Sequence, residues 1–155
     1  MRTGHLGLVL LAAASLGGCV SRANAPSMTP HVLAITCAEF TAPNRGASGE
    51  PVIRSVSVAV GESFRITLCS NPATGFSWEA PVMAGAADVA LVDHQRAPAA
   101  GSMAGAPGTE TFTFRAASAG SATIDFRYGR PWEGGEKGAW KATVRIDAGP
   151  GGPRR

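Results

Sequence analysis

From residue 52 onward the chain alternates apolar and polar positions with a period of two. Val56, Val58 and Val60 alternate with Ser57 and Ala59, and Phe64, Ile66 and Leu68 alternate with Arg65 and Thr67. Phe76 and Trp78 continue the pattern, followed by a weaker run through Val89, Leu91 and Asp93. Phe112 and Phe114 alternate with Thr111, Thr113 and Arg115, then Ile124, Phe126 and Tyr128 with Asp125 and Arg127, then Ala142, Val144 and Ile146 with Lys141, Thr143, Arg145 and Asp147. Side chains of a strand point alternately to opposite faces, so each run predicts a strand with one wet face. Turn residues separate the runs at Gly61-Glu62, Asn71 to Gly75, Ala84-Gly85, Gly101 to Gly108, Ala119-Gly120 and Gly134 to Gly138, as backbone freedom and side-chain-to-backbone bonding require.

About seven such strands, with no stretch at helical spacing, predict an all-β fold: an immunoglobulin-like antiparallel β-sandwich. The earlier segment from Val32 to Phe40 either adds an edge strand or packs on the sandwich through Cys37. In a simple up-and-down order every second turn falls at the same end of the domain. That order gathers residues 71–76, 105–108 and 130–133 along one edge, an arrangement better suited to recognising a macromolecule than to making bonds.

The chain begins with a segment that does not belong to this fold. Arg2 supplies a positive n-region and Leu6 to Ala14 an apolar run, the pattern of an export signal. The run is shorter than the about 20 residues of a membrane span. It ends in Leu16-Gly17-Gly18-Cys19, which resembles the lipobox of bacterial lipoproteins, in which the Cys becomes the lipidated first residue; the alternative is an ordinary signal peptide with Cys19 incidental. The expected organisation is a lipoprotein signal peptide over residues 1–18, a lipidated Cys19 and flexible tether over 19–30, one domain over 31–148 and a disordered tail over 149–155. A lipid on Cys19 implies membrane attachment in a bacterial cell envelope, facing the periplasm or the surface. The length suits one domain, expected to be a monomer.

Charge narrows the partners. The formal net charge is +3, but Arg2 lies in the leader and Arg154 and Arg155 in the tail, so the body is neutral. That balance gives no electrostatic footprint for nucleic acid.

Cys37 and Cys69 remain once Cys19 is set aside. In an oxidising compartment a disulfide is their default, with two unpaired structural thiols as the alternative. A thiol hydrolase using Cys69 would need a base, and the body holds only His31 and His94. Two His and two Cys without ligand spacing give no zinc or copper site, and no motif implies a cofactor.

The loops carry the function. Asn71-Pro72-Ala73-Thr74-Gly75-Phe76 followed by Ser77-Trp78, the Gly-rich Gly105-Ala106-Pro107-Gly108 before Thr109-Glu110-Thr111-Phe112-Thr113-Phe114, and Arg130-Pro131-Trp132-Glu133 after Tyr128 stand in order on the expected strands. Together they resemble the chagasin family of cysteine peptidase inhibitors, over residues 52 to 147. The resemblance implies an immunoglobulin-like fold, not an enzyme, whose three loops enter the active-site cleft of papain-like (cathepsin L-type) cysteine peptidases and block it reversibly and tightly. A non-inhibitory immunoglobulin-like envelope binding module is the alternative. Ala73 stands where the family often has a hydroxyl residue, and Pro107 where it usually has Gly.

Single residues have their expected roles. Pro72 restricts φ and Gly75 can supply a positive one, so the first loop presents its backbone rigidly. Thr74, at its tip, offers a hydroxyl and backbone groups to the peptidase thiolate. Gly105 and Gly108 let the second loop's backbone approach a cleft wall. Trp132 is a contact and Trp78 core; Trp140 is ambiguous, and Tyr128 fits core or loop support. Asn71 either touches the enzyme or bonds its own backbone turn, Arg130 contacts the enzyme or pairs with Glu133, and His94 is a partly exposed strand residue.

Overall fold

The computed structural model describes residues 31–42, 49–98 and 105–150. The leader, Cys19, the tether and residues 151–155 lie outside the described residues. In chain order the elements are β1 (His31–Ile35), α1 (Cys37–Thr41), β2 (Val52–Ala59), β3 (Ser63–Ser70), a 3-10 turn (Pro72–Thr74), β4 (Ser77–Trp78), β5 (Val82–Gly85), β6 (Val89–Ala97), β7 (Gly108–Ala116), β8 (Gly120–Gly129) and β9 (Trp140–Gly149). One sheet runs β1-β3-β7-β6 and the other β2-β9-β8-β4, with β5 also paired to β8. The two sheets make an all-β, immunoglobulin-like sandwich.

The core is built from the alternating rows. Phe64, Ile66 and Leu68 of β3 and Phe112 and Phe114 of β7 are buried, as are Ile124, Phe126 and Tyr128 of β8 and Ala142, Val144 and Ile146 of β9. Phe126 meets Phe114 edge-on at 6.1 Å and 80°, a favoured aromatic geometry that locks one sheet to the other.

Several features differ from the sequence reading or refine it. The sandwich is not simply up-and-down: β1 runs parallel to β3 and β2 parallel to β9. The segment at Val32 to Phe40 does both things expected of it, forming β1 and then α1. Ala84-Gly85, expected as a turn, lies in β5 against Thr123 and Ala122; β5 is exposed throughout, so no alternation marks it. In β6 the register shifts between Leu91 and Asp93, and this bulge reverses the facing of everything after it. Asp93 therefore leaves the row of Val89 and Leu91, and His94 takes its place over Phe112, ring to ring at 4.1 Å. At the ends, Val60 falls outside β2 in an exposed turn, while Gly149, expected in the tail, pairs with Ala59.

α1 is short but firmly tied. The Thr36 N–H and hydroxyl both donate to Glu39 Oε2, at 2.6 and 2.8 Å, and Arg54 of β2 pairs with Glu39 Oε1. The Thr36 backbone bond, aided by its hydroxyl and by Arg54, holds the Glu39 carboxyl below its usual range against the opposing effect of burial. Phe40 packs on Trp78 at 5.3 Å and stacks on Trp140 at 5.1 Å.

Cys37 of α1 and Cys69 of β3 are joined in a disulfide across a sequence separation of 32 residues. Closing a loop of that length stabilises by up to about 3.5 to 4 kcal/mol in the chain-entropy description. The paired exchange Cys37→Ser with Cys69→Ser is therefore expected to lower the unfolding free energy by up to that amount in denaturant titration. An unchanged midpoint at unchanged slope would show that the cross-link contributes nothing.

Candidate functional site

Strand register brings the three sequence-predicted loops together. Ser70 ends β3 opposite Gly108, where β7 begins. Ser77 begins β4 opposite Gly129, where β8 ends. Residues 71–76 therefore cross from one sheet to the other, with the second loop beside their start and the third beside their finish. Convergence at one end follows from this crossing rather than from an up-and-down order.

The first loop is locally stiff. Pro72 opens the 3-10 turn, where its missing N–H costs nothing because the first donors of a helical turn have no internal partner. Thr74 N–H donates to Asn71 O at 3.2 Å and Gly75 N–H to Pro72 O at 3.0 Å. Gly75 closes the turn at φ +78°, a conformation L side chains resist. The Thr74 hydroxyl donates to Asn71 O at 2.7 Å. Its proton is thus engaged inside the loop, while the residue itself stays exposed. Pro72, Ala73 and Thr74 form the exposed tip.

Side chains then bridge the loops. Asn71 Nδ2 donates across to Gly105 O of the second loop at 3.4 Å, so its side chain reaches a neighbouring loop and not its own turn. The Asn71 N–H donates to the Tyr128 hydroxyl at 2.6 Å. Tyr128 is thereby both core and loop support: its ring stacks between Phe76 at 5.6 Å and Trp140 at 4.8 Å. Trp140 belongs to the same stack. Trp78 is 3% exposed, and its indole N–H donates to Cys69 O at 2.9 Å, which places it in the core.

The third loop leans on the first. The Arg130 guanidinium lies 4.6 Å from the Phe76 ring centre and 5.7 Å from that of Trp132, a cation–π arrangement. Among the described residues no ion pair joins Arg130 to Glu133. Arg130 N–H donates to Glu136 O at 2.7 Å, and Lys137 Nζ donates to the carbonyls of Arg130 at 2.5 Å and Trp132 at 3.3 Å. Pro131, Trp132 and Glu133 are exposed, with Trp132 at 51%. Asn71 Oδ1 and Arg130 Nε are buried without a hydrogen-bond partner among the described residues. Such atoms are uncommon in folded chains, and both fall in this cluster.

Gly108 behaves differently from the expectation for it. It is buried as the first residue of β7, and a side chain there would meet the Ala97 carbonyl at 2.2 Å. Its bareness serves packing against the end of β6, while Gly105 at φ +84°, with Ala106 and Pro107, is what the second loop presents. Cys69 is buried and disulfide-bonded, which removes it as a nucleophile. The supports at Lys137 and Glu136 carry no sequence signal.

A side chain at Gly75 would come within 2.7 Å of the Trp132 ring. Gly75→Ala is therefore expected to destabilise the fold by about 1 kcal/mol through its positive φ and to push the Trp132 ring aside. In a heteronuclear NMR spectrum the Trp132 indole N–H signal should move while those of Trp78 and Trp140 stay in place. A stationary Trp132 signal would refute the contact.

Known proteins share this architecture. The chain is similar to chagasin of Trypanosoma cruzi, 34% identical over 101 residues, a match that covers 61% of this chain and 88% of the relative. The crystal structure of the cysteine protease inhibitor EhICP2 from Entamoeba histolytica superposes with a TM-score of 0.54 at 19% identity, covering 78% of this chain and 98% of that one. PbICP-C, solved in complex with falcipain-2, superposes with a TM-score of 0.51 at 14% identity, covering 76% and 99%. At these identities the two superpositions establish the fold. Residues 57–146 match the chagasin family peptidase inhibitor I42, which spans the crossing loop and both loops beside it, and the chain belongs to that family.

Proposed function

We propose that this protein is a reversible, tight-binding inhibitor of papain-like, cathepsin L-type cysteine peptidases that inserts its three loops into the active-site cleft. The observation that carries this reading is the braced loop end, where Asn71 reaches Gly105 and Arg130 spans Phe76 and Trp132. Loops already ordered in the free protein lose little entropy on binding. Membership of a family of peptidase inhibitors supports the target class. So do the likenesses to EhICP2, a cysteine protease inhibitor, and to PbICP-C, captured with falcipain-2.

The tip of Pro72, Ala73 and Thr74 is the part that approaches the catalytic thiolate. Ala106 and Pro107, with Gly105, line one wall of the cleft, while Pro131, Trp132 and Glu133 line the other. The 3-10 turn curls the backbone at the tip, whereas a peptidase cleaves an extended substrate, so the loop fills the cleft without presenting a bond for cleavage. Trp132 is the anchor, a large amphipathic ring of the kind that dominates interface energies.

Titration of papain and a cathepsin L-type peptidase with the purified protein should give reversible, stoichiometric inhibition at nanomolar concentration. Trp132→Ala should weaken it by about 2 to 4 kcal/mol with the melting transition little changed. Absence of inhibition by a folded sample would leave the envelope binding module in its place.

Cys19 and the leader before it support a second element of the proposal: the protein is lipidated at Cys19 and held, as a monomer, on a membrane of the bacterial cell envelope. Metabolic labelling with a fatty acid analogue should mark the wild-type protein and not Cys19→Ser. Equal labelling of both would defeat the anchor.

A further inference from the structure

The inward row of β7 contains one residue out of character. Glu110 is 1% exposed, on the same face as Phe112 and Phe114. Its Oε1 accepts from the Ser70 hydroxyl at 2.7 Å. Its Oε2 lies 2.9 Å from His94 Nε2 and accepts from Arg96 Nε at 3.1 Å. The bulge in β6 makes this possible, because it turns His94 and Arg96 toward the row that Glu110 occupies.

Stability alone does not account for an acid here. A buried carboxyl group surrenders its hydration, and replacing a buried ionic cluster by apolar side chains is often neutral or stabilising. A Met at 110 together with Ala at 70 would simply extend the apolar row. What the cluster does is join strand ends. Ser70 is the residue before Asn71, where the first loop leaves β3. Arg96, directly opposite Glu110, stands at the root of the β6–β7 connection that carries Gly105. Glu110 thus ties β3, β7 and β6 together just beneath two of the three loops.

We propose that Glu110 is a positioning residue of the inhibitory end: its carboxyl group, held by Ser70, His94 and Arg96, fixes the spacing between the first and second loops. It acts through those loops and need not touch a peptidase. This inference rests on the inhibitor reading, so its test has an arm that needs no peptidase.

Two variants separate position from stability. Glu110→Gln keeps the shape and loses the charge, and Glu110→Met combined with Ser70→Ala restores an apolar row without a stranded hydroxyl. Both should raise the inhibition constant for papain about tenfold, the factor expected of a lost charge-assisted hydrogen bond, while the melting temperature of the Glu110→Met, Ser70→Ala protein is unchanged or higher. In the free proteins, amide hydrogen exchange should accelerate in residues 71–76 and 105–108 and not in β8 or β9. An inhibition constant that merely follows the melting temperature, or loop exchange equal to wild type, would overturn the proposal. Should the Glu110 variants fail to fold, Arg96→Gln alters a largely exposed residue and should show the same loop exchange and a several-fold weaker inhibition; wild-type values for both would overturn the proposal equally. If wild-type protein inhibits no peptidase, the inhibitor reading fails, and loop exchange alone still decides whether Glu110 positions the loops.

Discussion

The loop end depends on one covalent constraint: the chain must pass from one sheet to the other between Ser70 and Ser77. Sheets in a sandwich pack about 10 Å apart, and six residues cover that gap with little slack once a 3-10 turn takes three of them. The crossing segment is therefore held at both ends by ladders, Ser70 against Gly108 and Ser77 against Gly129. Its neighbours are chosen by the same ladders. A loop that spans two layers cannot swing like a hairpin tip, because any displacement has to break pairing in one sheet or the other.

Side chains reinforce this from below. Tyr128 carries its ring in the stack with Phe76 and Trp140 and its hydroxyl to the Asn71 N–H. The aromatic packing of the core and the position of the first loop are thus coupled through one residue. A similar coupling on the other side runs through the peptide carbonyl of Cys69, which accepts from Trp78. The loop end is the top of the core extended outward, and this is why short loops can be ordered there.

Much of this was legible in residue order. The rows of Phe112 with Phe114, Ile124 with Phe126, and Val144 with Ile146 announce strands because each buries one face, and the three loop segments stand out through Pro, Gly, Arg and Trp. What escaped reading had physical causes. β5 packs by edge pairing alone and buries no row, so it leaves no alternation. The shift after Leu91 turns on backbone geometry that no residue type announces. The parallel pairings of β1 and β2 arise from the alternation of the chain between sheets, a tertiary choice. Gly108 read as a loop residue because bareness for packing and bareness for flexibility look alike in a sequence. Lys137 supports the third loop through carbonyls, and any long cation near the turn would read the same.

The disulfide takes on another meaning beside this loop end. Thiolates cleave disulfides that they can reach. Here Cys69 is buried, one residue before Ser70, and Cys37 is only half-buried. The cross-link sits behind the first loop, on the far side of Asn71 from the exposed tip. Exchange needs the attacking sulfur in line with the bond, and Phe40, three residues beyond Cys37, packs on Trp78 and Trp140. A thiolate that meets the exposed tip is thus separated from the cross-link by the first loop itself.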